Sequence, residues 1–181
     1  EAKIWAGDIH LEPAKKRLEE LGNPLINLEY IDLSKKLPFE NNFFDGIVSS
    51  KVLNYIVKFE NEKGKEALKL LFQEIYRILK PGGTFVWSFL YKENYLAGLV
   101  YGLPYLLNPY QWIKQKCFLP IFCVKMQKLF TPVFKKEKEG TYVCLSKKEW
   151  EELLISIGFR KLEWKESFGE LILVNRVEKP L

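Results

Sequence analysis

The chain has 181 residues, 48% of them apolar and 28% charged, a globular balance that provides one sizeable core and excludes a disordered, collagenous or low-complexity chain. The net charge of +5 resides in the stretch 91–140, which holds eight lysines and three glutamates, while the remainder is neutral. Arginine, the residue of bidentate phosphate and base readout, supplies only four of the 28 basic residues, so no nucleic-acid partner is expected.

Ala2 to Ile9 predicts a short strand ending in an acid, Asp8. Pro13 follows at a helix start, Ala14, Leu18 and Leu21 recur at helical spacing, and Gly22 and Pro24 are the stop. A second strand, Leu28 to Ile31, ends at Asp32. Leu37-Pro38-Phe39 and Asn41-Asn42 read as loop and turn, and Phe44 to Ser49 as a third strand apolar enough to be buried on both faces. Leu68, Leu71, Phe72, Ile75 and Leu79 give the next helix one apolar face. Lys80-Pro81-Gly82-Gly83 is expected to end that helix and turn tightly into a fourth strand, Thr84 to Leu90. Strands alternating with helices at this pitch mean βαβ units and a mainly parallel sheet, an α/β fold.

Tyr91 to Gly140 breaks the alternation. It is apolar, aromatic and basic, and Pro104, Pro109, Pro120 and Pro132 interrupt it. It reads as a helical insertion over the C-terminal edge of the sheet, where open α/β folds bind ligands. Asn94 to Ile113 carries no charge, but its prolines and amides disfavour a spanning helix. Lys114, Lys116, Lys125 and Lys128 alternate with apolar residues, a pattern that suits a cap with lysines in water first, and peripheral membrane contact through 94–136 second. After it, Ser146 to Glu149 forms a capping box for a helix through Ile157, with Gly158 as its stop. Arg160 to Glu166 and Glu170 to Val177 lie too close for a crossover and predict an antiparallel hairpin at the sheet edge. The domain division is therefore a core at 1–90, a cap at 91–140, and a helix and hairpin at 141–181 that belong to the same domain.

Cys117, Cys123 and Cys144 form no CxxC pair, and with His10 as the single histidine no metal set is expected. Reduced thiols and the missing signal-peptide pattern point to a cytoplasmic protein, with a membrane periphery as the other location. The chain opens on Glu1 rather than Met, so a fragment of a longer polypeptide is expected.

The order of strand-Asp8, strand-Asp32, Leu37-Pro38-Phe39, Phe44-Asp45, a helix and Leu79-Lys80-Pro81-Gly82-Gly83 resembles the class I S-adenosylmethionine-dependent methyltransferases, in particular their small-molecule group. The resemblance covers most of the chain outside 91–140. It implies a three-layer, Rossmann-like sheet, S-adenosylmethionine as cofactor, and methyl transfer to a small acceptor, apolar or lipid-like in view of the insertion. It also implies a site. Asp8 accepts the ribose hydroxyls, Asp32 the adenine amine, and the Leu33 N–H faces the adenine ring. Ile9 and Leu33 pack on that ring, and Ser49, Ser50 and Lys51 line the methionine part. Tyr91, Glu93 and Tyr95, after the fourth strand, are candidates for the acceptor. No catalytic side chain is singled out, because displacement at an activated methyl carbon needs alignment more than acid–base chemistry. As plain structural residues, Asp8 would be a helix-start acid and Asp32 an Asx-turn residue. The other reading of the whole chain is a non-catalytic relative that serves as a binding or scaffold domain.

One part of the family pattern has no counterpart. Gly7 is isolated and precedes Asp8, so the glycine-rich loop and the strand leading into it are absent. That strand belongs between those ending at Asp8 and Ser49, and an upstream strand–helix unit is expected to supply it.

Overall fold

A computed structural model describes residues 3–22, 25–90, 143, 145–167 and 172–181. In chain order the elements are β1 (Ile4–Asp8), α1 (Leu11–Leu21), β2 (Ile26–Tyr30), β3 (Phe44–Ser50), a 3-10 turn (Leu53–Tyr55), β4 (Lys58–Phe59), β5 (Glu62–Lys63), α2 (Gly64–Ile78), β6 (Leu79–Leu90), α3 (Lys147–Ile157), β7 (Arg160–Ser167) and β8 (Ile172–Glu178). The region read as an insertion, with Tyr91, Glu93, Tyr95 and the four lysines from Lys114 to Lys128, lies outside the described residues.

The βαβ expectation holds for the first unit. β1 and β2 pair in parallel from Ile4↔Ile26 to Asp8↔Tyr30. Between them α1 stops at Gly22, whose left-handed φ of 58° lets its N–H reach the Leu18 and Glu19 carbonyls. The second sheet has the order β3-β6-β8-β7, parallel between β3 and β6 and antiparallel elsewhere. The C-terminal hairpin is therefore present, with β8 inside and β7 at the edge. β4 and β5 make a small separate hairpin.

The core lies on one face of the larger sheet. Phe85, Trp87 and Phe89 of β6 and Leu173 and Val177 of β8 point there and meet Leu68, Leu71, Phe72 and Ile75 of α2 and Trp150, Leu153 and Leu154 of α3. Rings contact one another throughout, Phe85 stacking on Trp87 at 4.8 Å and Phe89 tilting onto Trp150 at 4.7 Å. The Ser146 capping box starts α3, with the Glu149 N–H donating to Ser146 Oγ at 3.3 Å and the Ser146 N–H to Glu149 Oε2 at 2.9 Å.

The sequence reading of Leu79 to Gly83 needs correction. α2 ends at Ile78, and Leu79 already belongs to β6, where it is buried and pairs with Phe44. Lys80 to Gly83 form an irregularity inside the strand, as the register shift between Phe44 and Gly46 records. Proline's fixed φ is compatible with extended backbone, so Pro81 bends the strand rather than preceding it. Gly83 is needed for close approach, since a Cβ there would lie 2.8 Å from the Lys80 carbonyl oxygen and 3.1 Å from that of Asp45.

Candidate functional site

Asp8 and the turn after β2 lie side by side at the carboxyl ends of a parallel pair. The Ile31 N–H donates to the Asp8 carbonyl at 3.2 Å and ties the two strand ends together. Asp8 Oδ1 accepts from the His10 N–H at 2.8 Å, so the carboxylate folds the entry to α1, as a helix-start acid does. Asp8 is exposed, and its Oδ2 has no partner among the described residues. Ile9 is also exposed, at 53%, and presents an apolar side chain beside that carboxylate.

Asp32 is committed to its own turn. Oδ1 accepts from the Ser34 hydroxyl at 2.6 Å and the Ser34 N–H at 2.9 Å, and Oδ2 lies 3.1 Å from Lys35 Nζ. These contacts, the Ser34 hydroxyl first, lower its pKa from 3.8 to about 2, and the same ion pair raises that of Lys35. The carboxylate stays charged at any physiological pH, with lone pairs left for one further donor. The Leu33 N–H in this turn makes no hydrogen bond within the described residues, while its side chain packs against the core. Leu33 thus offers a backbone donor rather than an apolar surface.

Across the sheet, Ser49, Ser50 and Lys51 close β3. Ser50 Oγ and Ser88 Oγ of β6 are 3.2 Å apart. The Lys51 N–H donates to the Ser88 carbonyl at 2.9 Å, and Lys51 adopts φ 58°, unusual for a residue with a side chain. Among the described residues no hydrogen bond or ion pair joins this group to Asp8 or Asp32, so the candidates fall into two sets, one at the ends of β1 and β2 and one at the end of β3. Beyond Lys51, Asn54 Nδ2 donates to the Val143 carbonyl at 2.9 Å, and the Val143 N–H to the Asn54 carbonyl at 2.8 Å. Val143 is thereby held to the 3-10 turn that follows β3.

Sequence reasoning missed Ser34, Lys35, Ser88 and Asn54. A serine two residues after an aspartate is an Asx-turn signature that could have identified the first. Ser88 stands opposite Ser50 only through the register of two distant strands.

Residues 2–87 match the family described as a methyltransferase domain. The biotin biosynthesis bifunctional protein BioHC of Teredinibacter turnerae is 37% identical over 98 residues, 52% of this chain and 15% of that protein, so the chain spans a small part of that relative's length. A protein from Bordetella parapertussis superposes with a TM-score of 0.68 at 19% identity, over 99% of this chain and 54% of that one. The 1,6-didemethyltoxoflavin-N1-methyltransferase of Burkholderia thailandensis, solved with S-adenosylhomocysteine bound, gives 0.59 at 15% identity, over 99% of this chain and 62% of that one. At these identities the likeness is one of fold, a Rossmann-like α/β sheet.

Proposed function

We propose, from the match of residues 2–87 to a methyltransferase-domain family, that the chain serves S-adenosylmethionine-dependent methyl transfer to a small, apolar or lipid-like acceptor. The observation that carries the reading is the pairing, within the matched stretch, of an exposed carboxylate with an unbonded backbone N–H at the carboxyl ends of neighbouring parallel strands. A nucleoside offers the complement of that set, two ribose hydroxyls and an adenine edge.

S-adenosylmethionine is the cofactor, and when bound it supplies an activated methyl carbon. Asp8 Oδ2 accepts the ribose hydroxyls. The Leu33 N–H donates to a ring nitrogen of adenine, and the remaining lone pairs of Asp32 take the exocyclic amine. Ile9 covers one face of the ring. Ser49, Ser50 and Lys51 line the methionine part, where Ser88 joins them. The protein's task is alignment and exclusion of water. For an acceptor that loses its proton late, no general base is required.

The acceptor reading rests on the composition of 91–140, apolar with a basic margin, and on the Asn54–Val143 anchor at its far end. Tyr91, Glu93 and Tyr95 are the proposed acceptor contacts, and 94–136 the proposed membrane-facing stretch. None of the helices among the described residues is long and apolar enough to cross a membrane.

Calorimetry with S-adenosylmethionine and S-adenosylhomocysteine on the complete polypeptide tests the reading. Micromolar binding of both is expected, and no binding of either would overturn it.

A further inference from the structure

At the edge of the larger sheet opposite the candidate cofactor residues, the start of β6, the start of β7 and the end of β8 meet around a cavity of about 360 Å³. Gly82, which lines it, and Ser88, which stands beside Ser50, are separated along β6 by roughly 20 Å of extended chain. The cavity is thus a separate place in the molecule, and the proposed reaction makes no use of it.

Its charges do not balance. Three cations line it, Arg160, Lys161 and Lys179, against one carboxylate, Glu178. That carboxylate is engaged on both oxygens, Oε2 by Lys161 at 2.6 Å and Oε1 by Arg176 at 2.7 Å, and Lys161 foremost holds it below the usual carboxylate range. Arg160 is exposed and has no acidic partner among the described residues. Its Nη1 donates to the Phe159 carbonyl at 2.9 Å, which leaves most of its five-donor fork unused. Lys179 has no acidic partner there either. Its three N–H groups go to the Tyr76 carbonyl at 2.9 Å, the Leu79 carbonyl at 2.8 Å and Asn42 Oδ1 at 2.8 Å, all neutral, and burial lowers its pKa.

The backbone is shaped around this excess. Arg160 and Lys161 are neighbours in sequence, which a regular strand would send to opposite faces. Lys161 instead sits at φ 52° within the bulge where the β7 register shifts between Arg160 and Glu163, and both residues line the one cavity. Gly82 adopts φ 78°, and a Cβ on it would lie 3.1 Å from Leu181 Cδ2, so the missing side chain leaves room beside the apolar lining that Pro180 and Leu181 contribute.

We propose that this cavity binds a small organic anion, a carboxylate or phosphate monoester on a compact apolar body, with the Arg160 fork on the anionic oxygens and Pro180 and Leu181 against the body. A guanidinium matches two oxygens of either head group in one plane. Lys179, already satisfied by neutral oxygens, adds positive field rather than a donor. The volume falls within the range of roughly 300–1,000 Å³ that small-molecule clefts occupy. Such a ligand sits too far from the cofactor residues to be the methyl acceptor, and the inference does not depend on the methyltransferase reading.

NMR titration of the complete polypeptide with benzoate, phenyl phosphate and the uncharged benzamide tests this. Saturable shifts of the Gly82 amide and the Arg160 Nε–H are expected for at least one of the anions, with a Kd below about 1 mM, and none for benzamide. The tighter anion identifies the head group. Arg160→Gln should weaken binding at least about tenfold and Arg160→Lys by less, with both thermal midpoints within about 2 °C of the parent's. Lys161→Gln, which removes a different cation from the lining, should weaken binding as well, so a fold lost in one variant leaves the other to decide. No saturable shift from either anion, benzamide binding as tightly as they do, or unchanged affinity in Arg160→Gln would overturn the proposal.

Discussion

Arg77 and Glu74, three residues apart on α2, lock together through two hydrogen bonds, Nη2 to Oε2 at 2.7 Å and Nε to Oε1 at 3.0 Å. The pair reaches beyond its helix. Arg77 also donates to the carbonyls of Leu37 and Phe39 and to Asn41 Oδ1, while Glu74 Oε2 accepts from the Leu37 N–H. The Leu37-Pro38-Phe39 loop is therefore pinned to α2 at both ends by one charge pair.

Arg77→Ala should destabilise the protein by about 2–3 kcal/mol, the scale of losing charge-assisted hydrogen bonds while leaving Glu74 with one partner fewer. Arg77→Lys should recover little of it, because an ammonium cannot span a carboxylate and two carbonyls as a planar fork does. Urea unfolding of the two variants measures this, and full rescue by lysine would show that charge alone matters.

Gly83→Ala should cost about 1–3 kcal/mol, since the added methyl would press against the Lys80 and Asp45 carbonyls, and backbone cannot rotate away as a side chain can. The same change at Gly46, where the nearest atom is 3.7 Å away, should be tolerated far better. Thermal melts of both variants check the contrast.

Stability should fall on the acid side. Asp32 titrates at about 2 in the fold against an ordinary 3.8, and Glu74 is lowered mainly by Arg77. A depressed carboxyl adds stability that is complete above its unfolded value and is lost as pH drops through about 4 toward about 2. Ser34→Ala removes the largest cause at Asp32, and should cut the difference between neutral and acid stability by about 1 kcal/mol after allowance for solvent screening. An unchanged pH profile for that variant would mean that Lys35 alone holds the carboxylate.

Asp8→Ala, in the complete polypeptide, should weaken S-adenosylmethionine binding by about 1.5–3 kcal/mol while leaving the melting profile close to the parent's, because the Asp8 side chain is exposed and makes a single local hydrogen bond among the described residues. Unchanged affinity would reduce Asp8 to the start of α1.

Changing Lys114, Lys116, Lys125 and Lys128 to Gln should lower binding to anionic vesicles by orders of magnitude if 94–136 lies on a membrane, at about 1 kcal/mol per lysine near the surface. Co-sedimentation of the parent protein at low and high salt is the control. A parent that stays in the supernatant at low salt has no membrane contact there.

How far the sequence revealed the fold depended on the length of each pattern. α3 could be read to the residue, because Ser146, Glu149 and Gly158 specify its ends chemically. The C-terminal hairpin followed from a connection too short for anything else. The two-residue strands β4 and β5 show no period to detect, and the end of α2 was misplaced because Leu79 fits the apolar face of the helix as well as the buried face of β6. In the site, Asp8 and Asp32 were found by their positions after strands. The Ser34 hydroxyl, which occupies half of Asp32's carboxylate, was not, since a hydroxyl's role depends on where it is turned. Among the described residues β1 and β3 lie in different sheets, and only the family resemblance gave a reason to expect them apart.

The distribution of buried residues sets a hierarchy of local stability. Among the described residues every buried apolar side chain lies at Leu37 or later, and α1 has none. The β1–α1–β2 unit is thus held by its own backbone ladder and by half-buried contacts such as Ile31 and Leu33, and it opens well below the free energy needed to unfold the rest. Trypsin should cut at Lys15, Lys16 and Arg17 before it cuts within the described residues from Phe44 to Phe89. A nucleoside seated between Asp8 and the Ser34 turn would hold just this unit, so its occupancy should register as slower cleavage within α1, a readout independent of turnover.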